Sequence, residues 1–213
     1  MARKTKEDAP ATRALILDAA ERVFHRRGVS RTTLQEIAQD AGLTRGAIYW
    51  HFENKGDLFH AMMERVTLPM TARMTEIDPA DDASPLDKIR RNMAAALHQI
   101  AHDAQVRRVF EISTQKVEYV DELQSLRERH VAGRNDCIDD MHRLMQLAHD
   151  KGHIRSDMDL RTATLGVFAL IGGLKFNWLL SPDAFDLEAV GMATLDAYLA
   201  GLSAPRKAQG RVT

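Results

Sequence analysis

Between Leu15 and Val66 the chain opens and closes four helices, a density of punctuation that admits only short helices joined by tight turns. Leu15, Ile16, Ala19, Ala20, Val23 and Phe24 recur at helical spacing, and Gly28 follows where a left-handed cap residue is expected, which predicts a first helix over about residues 10 to 27. Thr33 with Glu36 three positions on reads as a capping box for a second helix, whose apolar face is Leu34, Ile37, Ala38 and Ala41. Gly42 stops it. Thr44 offers a side-chain oxygen to cap a third helix, kept short because Asn54 caps another ten residues later, with Asp57 placed to favour that N-terminus. The fourth helix carries Leu58, Phe59, Met62, Met63 and Val66 and is expected to reach about Ile77. Pro69 removes a backbone donor and crowds the carbonyl of Arg65, so a kink is predicted there.

The rest of the chain keeps the same character. It has no sustained period-two alternation and no Asn-Gly or Asp-Gly turn between apolar runs, so the expected fold is all-α. Asp78 to Pro85 combines turn formers with charge, and Ser84-Pro85 reads as the cap and first residue of a fifth helix. Further breaks are expected near Asp103-Ala104, around Val117 to Asp121, at Lys151-Gly152 and at Ser181-Pro182-Asp183, giving about nine helices in all. The domain reading is a helix-turn-helix domain over residues 1–55, a larger helical domain over 56–203, and a disordered tail over 204–213.

Charge separates the two parts. Net charge is -1, but residues 1–55 carry ten Lys/Arg against seven Asp/Glu and the remainder nineteen against twenty-three, so only the first part suits a phosphate backbone. One cysteine, Cys137, excludes an internal disulfide and a multi-cysteine zinc site, and fits a reducing compartment. The N-terminus has basic residues but no apolar run behind them, so a cytoplasmic location is expected. The apolar run Ala163 to Leu180 is interrupted by Lys175 and Asn177 and reads as a buried interface helix, with no membrane partner.

Two short helices joined by Ala41-Gly42-Leu43-Thr44 give the geometry of a helix-turn-helix. Arg45 in the first turn of the second helix is long enough for paired hydrogen bonds to a guanine edge. Gly46 and Ala47 are small enough to admit close approach to bases or a thymine methyl. Tyr49 and His51 can donate to phosphate oxygens, and Lys55 stands at the next helix's N-terminus, where charge and free backbone donors favour an anion. Thr33 and Thr44 join this DNA-facing set, while Ile48 and Phe52 should face inward onto the first helix. Trp50 either covers the sugar-phosphate edge or packs against apolar neighbours, and Arg3, Lys4 and Lys6 are either a minor-groove arm or a frayed terminus.

The run Thr32 to Lys55 resembles the DNA-binding signature of the TetR family of repressors, and Ala2 to Glu7 with Gly46 to Phe52 resembles its multidrug-efflux members of the AcrR and TtgR type. Arg107-Arg108, Glu111-Ile112, Lys116 and Glu118 are similar to the sixth helix of those proteins. The resemblance implies a homodimer joined through the last two helices, here about Asp159 to Leu180 and Asp186 to Leu202. Gly166 and Gly173 would permit close approach there. It also implies a repressor that binds a palindromic double-stranded operator and is released by an apolar or aromatic small molecule, controlling a multidrug efflux operon. The matching stretches place Met93, Ala96, Leu97, Phe110, Thr114, Phe168, Ile171 and Phe176 at the effector site, a set whose thioether and rings suit varied flat ligands. Control of a metabolic or other operon is the alternative, followed by a helical dimerisation module without DNA binding.

An enzyme is not expected, since there is no Gly-x-Ser-x-Gly elbow, no phosphate-binding glycine loop and no Cys/His pairing. No cofactor is expected. His98 and His102, four apart on one helix face, suit a metal, but no third ligand is evident in the sequence, and the expectation is no metal site. Arg107-Arg108 reads as a solvated face.

Overall fold

Residues 9–75, 84–118 and 124–203 are described by the computed structural model, and their regular structure is helical apart from one isolated antiparallel bridge between Ile154 and Ser203. The basic residues Arg3, Lys4 and Lys6, the loop from Asp78 to Ala83 and the tail after Ser203 lie outside the described residues. In chain order the helices are α1 (Ala9–Arg27), α2 (Leu34–Asp40), α3 (Arg45–His51), α4 (Lys55–Thr75), α5 (Pro85–His102), α6 (Ala104–Gln115), α7 (Gln124–Asp150), α8 (Leu160–Leu180) and α9 (Leu187–Leu202). The expected all-α architecture is therefore the observed one.

Local chemistry sets the ends of these helices. The Thr33 hydroxyl accepts from the Glu36 N–H at 3.3 Å while the Glu36 carboxylate accepts from the Thr33 N–H at 2.8 Å, a complete capping box. The Thr33 backbone bond, followed by its hydroxyl, holds the Glu36 carboxyl below the ordinary carboxylate range. Gly28 and Gly42 take φ of +82° and +67°, and the Leu43 N–H donates back to the Ala38 carbonyl at 2.8 Å, so glycine is needed where each helix must stop sharply. Asp103, Asp159 and Asp186 cap α6, α8 and α9 through side-chain oxygens. At α5, Ser84 takes the cap and Pro85 the first helical position. Helix α4 continues through Pro69.

The chain groups into two compact units. One runs through Pro69 and takes in His102–Arg134; the other is Met70–Ala101 together with the residues from Asn135 onward. That α6 and the start of α7 group with α1–α4 is a long-range fact with no local sequence signal.

In the first unit α1 is central. Ile16, Ala19, Ala20 and Phe24 are fully buried, and the Phe24 ring meets that of Phe59 on α4 at 6.1 Å. The second unit's core is formed by Ile89 and Met93 of α5, Met141, Leu144 and Met145 of α7, Ala163 and Val167 of α8, and Leu195 and Leu199 of α9. Two glycines let its helices approach closely. A Cβ on Gly191 would meet the Leu97 methyl at 2.6 Å, and one on Gly166 would collide with the ring and hydroxyl of Tyr198, which donates to the Ala163 carbonyl at 3.0 Å. Gly173, by contrast, faces open space, so of the two expected close-approach glycines only Gly166 receives a neighbour within the chain.

Gly166→Ala should therefore lower the unfolding free energy by about 1–3 kcal/mol through overpacking. Removing the obstructing ring in a Gly166→Ala/Tyr198→Ala double variant should recover most of that increment relative to Tyr198→Ala alone, as read by urea denaturation.

Candidate nucleic-acid interface

Helix α3 is amphipathic in the way a reading helix requires. Ile48 is fully buried and Phe52, its C-cap, is 2% exposed, so these two fasten the helix to its own unit. The Arg13 guanidinium of α1 lies over the Phe52 ring, 5.1 Å from its centre. On the other side Thr44, Arg45, Gly46, Tyr49 and Trp50 are exposed. The Thr44 hydroxyl accepts from the Ala47 N–H at 3.3 Å, fixing the start of the helix.

Arg45 does not wave free. Its guanidinium donates to the Tyr49 hydroxyl at 2.9 Å and rests over the same ring at 5.3 Å, one turn along the helix. Because that hydroxyl is accepting from Arg45, its own proton remains available for an outside acceptor. Trp50 is 71% exposed and makes an edge contact with the His51 ring at 4.6 Å, so it is not packed into the unit's core. Burial, with a smaller contribution from the Arg13 charge, lowers the His51 pKa below its ordinary value, so the imidazole is neutral near pH 7 and offers one N–H.

Two expected DNA-facing residues are engaged internally. The Lys55 ammonium donates to the Ser30 carbonyl at 2.9 Å, bracing the turn after α1. The Thr33 hydroxyl is shared with the Glu36 carboxylate at 3.0 Å in the capping box.

Comparison with known proteins agrees with this geometry. Residues 16–62 match the family described as bacterial regulatory proteins, tetR family, and residues 84–204 match the C-terminal region of MAATS-type transcriptional repressors. The chain belongs to the TetR family of transcriptional repressors. Among relatives, the HTH-type transcriptional regulator TtgR of Pseudomonas putida is 39% identical over 88% of this chain and 89% of its own length. The repressor BepR of Brucella suis is 37% identical over 95% and 97%. The structure of SmeT, repressor of the Stenotrophomonas maltophilia multidrug efflux pump SmeDEF, superposes with a TM-score of 0.80 at 34% identity, covering 93% of this chain and 94% of that one. The chain is thus a helix-turn-helix regulator related to multidrug-efflux repressors.

The helix-turn-helix of this TetR-family chain is braced by a feature that the sequence reading missed. Glu21 lies on the apolar stripe of α1 between Leu17 and Phe24 and is 3% exposed. Its carboxylate accepts from Arg65 of α4 at 2.9 Å, from Arg108 of α6 at 2.8 Å and from the Gln105 amide of α6 at 3.0 Å. Arg65 also reaches Asp18 at 2.6 Å. Arg107-Arg108, expected as a solvated face, is half-buried at both residues, and Arg108 pairs with Glu21, 87 residues earlier in the chain. A charge on an otherwise apolar helical stripe was the available signal.

Two more contacts join α1 and its following turn to α6. His25 Nε2 lies 3.0 Å from the Glu111 carboxylate, and the Val29 N–H donates to the Lys116 carbonyl at 2.9 Å. At the other end of α2, Arg22 and Arg26 grip Asp40, whose carboxyl is held low chiefly by the hydrogen bond from Arg26.

The residues expected at an effector site have mixed placements. In the second unit Met93 is buried in the core and Ile171 packs against it, Leu97 is fully buried against Gly191, Ala96 and Phe168 are half-buried, and Phe176 is 43% exposed. In the first unit Phe110 is buried on α6, and the Thr114 hydroxyl donates to the Phe110 carbonyl at 2.7 Å, within its own helix.

Removing the Glu21 carboxylate strands two guanidiniums that are themselves partly solvated. Glu21→Ala should accordingly cost about 3 kcal/mol, the low end for a broken buried ion pair, measured by equilibrium unfolding of the full chain. A change below about 0.5 kcal/mol would show that the pair contributes nothing net.

Proposed function

We propose that this protein is an effector-released repressor of a multidrug efflux operon, acting as a homodimer that places two copies of α3 in successive major grooves of a palindromic operator, about 34 Å apart. The observation that carries this reading is the exposed face of α3, where Arg45 is arranged on Tyr49 while Ile48 and Phe52 hold the helix from behind. Arg45, Gly46 and Ala47 read bases; Thr44, Tyr49, Trp50, His51 and Lys55 serve the backbone, with Thr33 beside them. Dimerisation runs through α8 and α9, whose Leu165, Phe176, Leu180 and Val190 are 37–59% exposed in the single chain.

The effector is an apolar or aromatic molecule. Support comes from the thioether and ring character of Met93 and Phe168 together with the relatedness to SmeT, which is known in complex with triclosan. Release follows when effector binding favours a conformation in which the two α3 helices no longer match the operator spacing. A displacement of α6 would be delivered to α1 and α4 through Glu21, His25 and the Val29 N–H, because those contacts join the three helices directly.

Mobility shifts with the DNA upstream of the protein's own reading frame test the repressor reading. Arg45→Ala should lose about 1–3 kcal/mol of operator affinity and relax base preference at one position per half-site. Wild-type affinity in that variant would remove α3 from the interface. The release mechanism is tested with triclosan: it should weaken operator affinity by roughly 5- to 150-fold, and operator should weaken triclosan binding by the same factor. Equal triclosan affinity with and without operator would exclude coupled release by this ligand.

A further inference from the structure

On the exposed face of α3, Arg45 and Tyr49 stand one helical turn apart and their side chains are joined twice. Arg45 Nη2 donates to the Tyr49 hydroxyl at 2.9 Å, and the guanidinium carbon lies 5.3 Å from the centre of the same ring. An exposed arginine ordinarily samples many directions, because its long stem turns about every bond. Here a short, stiff phenol side chain narrows that choice. The ring in turn rises from a helix pinned from behind by the buried Ile48 and Phe52. We propose, on the reading of α3 as the base-reading helix, that Tyr49 is the positioning residue for Arg45 and so sets base discrimination as well as touching the DNA backbone.

The hydrogen-bond capacities allow both tasks. A guanidinium has more N–H donors than the one bond to Tyr49 uses, which leaves enough for paired bonds to the O6 and N7 of guanine. A hydroxyl that accepts from a cation is polarised toward donation, so its own proton makes a stronger bond to a phosphate oxygen. Base edge, Arg45, Tyr49 and phosphate then form one line of hydrogen bonds, tying recognition of the base to the register of the backbone. The energetic consequence is selective. Holding Arg45 in advance lowers the ordering cost of base recognition, and that gain is realised only where the paired bonds to guanine form. The bond from the hydroxyl to phosphate helps every sequence alike.

The test uses the full-length protein with a duplex that the wild type selects from a random-sequence pool, a panel of single-base-pair changes in both half-sites, and a shuffled duplex as the non-specific reference. Arg45→Ala identifies the position at which base preference is relaxed. At that position Tyr49→Phe, which keeps the ring and removes the hydroxyl, should reduce discrimination between the preferred base and its alternatives by roughly 3- to 10-fold, the range of one hydrogen bond. Preferences elsewhere in the half-site should stay as in the wild type. Tyr49→Leu, which removes the ring as well, should reduce discrimination further. In an Arg45→Ala background Tyr49→Phe should leave discrimination unchanged, since no guanidinium remains to be held. Tyr49 is 47% exposed, so all these variants should keep the wild-type circular dichroism and Tm. An equal loss of affinity for every duplex in Tyr49→Phe would overturn the positioning role and leave a backbone contact alone. Unchanged base preference in Arg45→Ala would instead overturn the base-reading assignment of α3 itself, and the positioning role with it.

Discussion

A carboxylate withdrawn from water must be met by cations or donors, and Glu21 is met by three side chains from two other helices. The remainder of the first unit is organised around that requirement. With α1 fixed against α4 and α6 at Glu21, the Phe24 and Phe59 rings can close the apolar layer, and Arg22 and Arg26 on the solvent side of α1 are positioned to hold Asp40 at the end of α2. The α2–α3 turn then follows from Gly42, and the direction of α3 follows from Ile48 and Phe52. The reading face is thus the last link in a chain of placements that begins with a buried charge.

A buried ion pair is seldom the most stabilising use of a position, since hydrophobic replacements of similar volume often do as well or better. What it adds is directionality. Arg65 and Arg108 approach Glu21 through fixed guanidinium geometry from α4 and α6, so small rotations of either helix alter hydrogen bonds, whereas an apolar contact would slide. This suits a protein whose proposed work is to convert a displacement into a change of DNA affinity.

The local half of this architecture was legible in the residues. Thr33 with Glu36, Thr44, Asn54 and Ser84-Pro85 each act within four positions of themselves, and every one of those helix starts is found where its cap is. The inward assignment of Ile48 and Phe52 followed from helical spacing and is seen. Contacts between distant positions were not legible: Glu21 with Arg108, Gly166 with Tyr198 and His98 with Glu188 are separated by between 32 and 90 residues, and nothing in a local pattern says which charge or glycine meets which partner. Lys55 illustrates the same limit across 25 positions. Its place at a helix N-terminus suggested an anion, and no local pattern showed that the Ser30 carbonyl also accepts from its ammonium.

The contrast between the two tryptophans extends beyond binding. Trp50 stands 71% exposed on α3 in the first unit, while Trp178 is 5% exposed in the second. With only these two indoles in the chain, its intrinsic fluorescence divides by environment: a red-shifted, quencher-accessible component from α3 and a blue-shifted, shielded one from α8. The molecule carries a separate optical reporter in each of its two units, so events at α3 and events in the C-terminal helices can be followed in the same cuvette without a label.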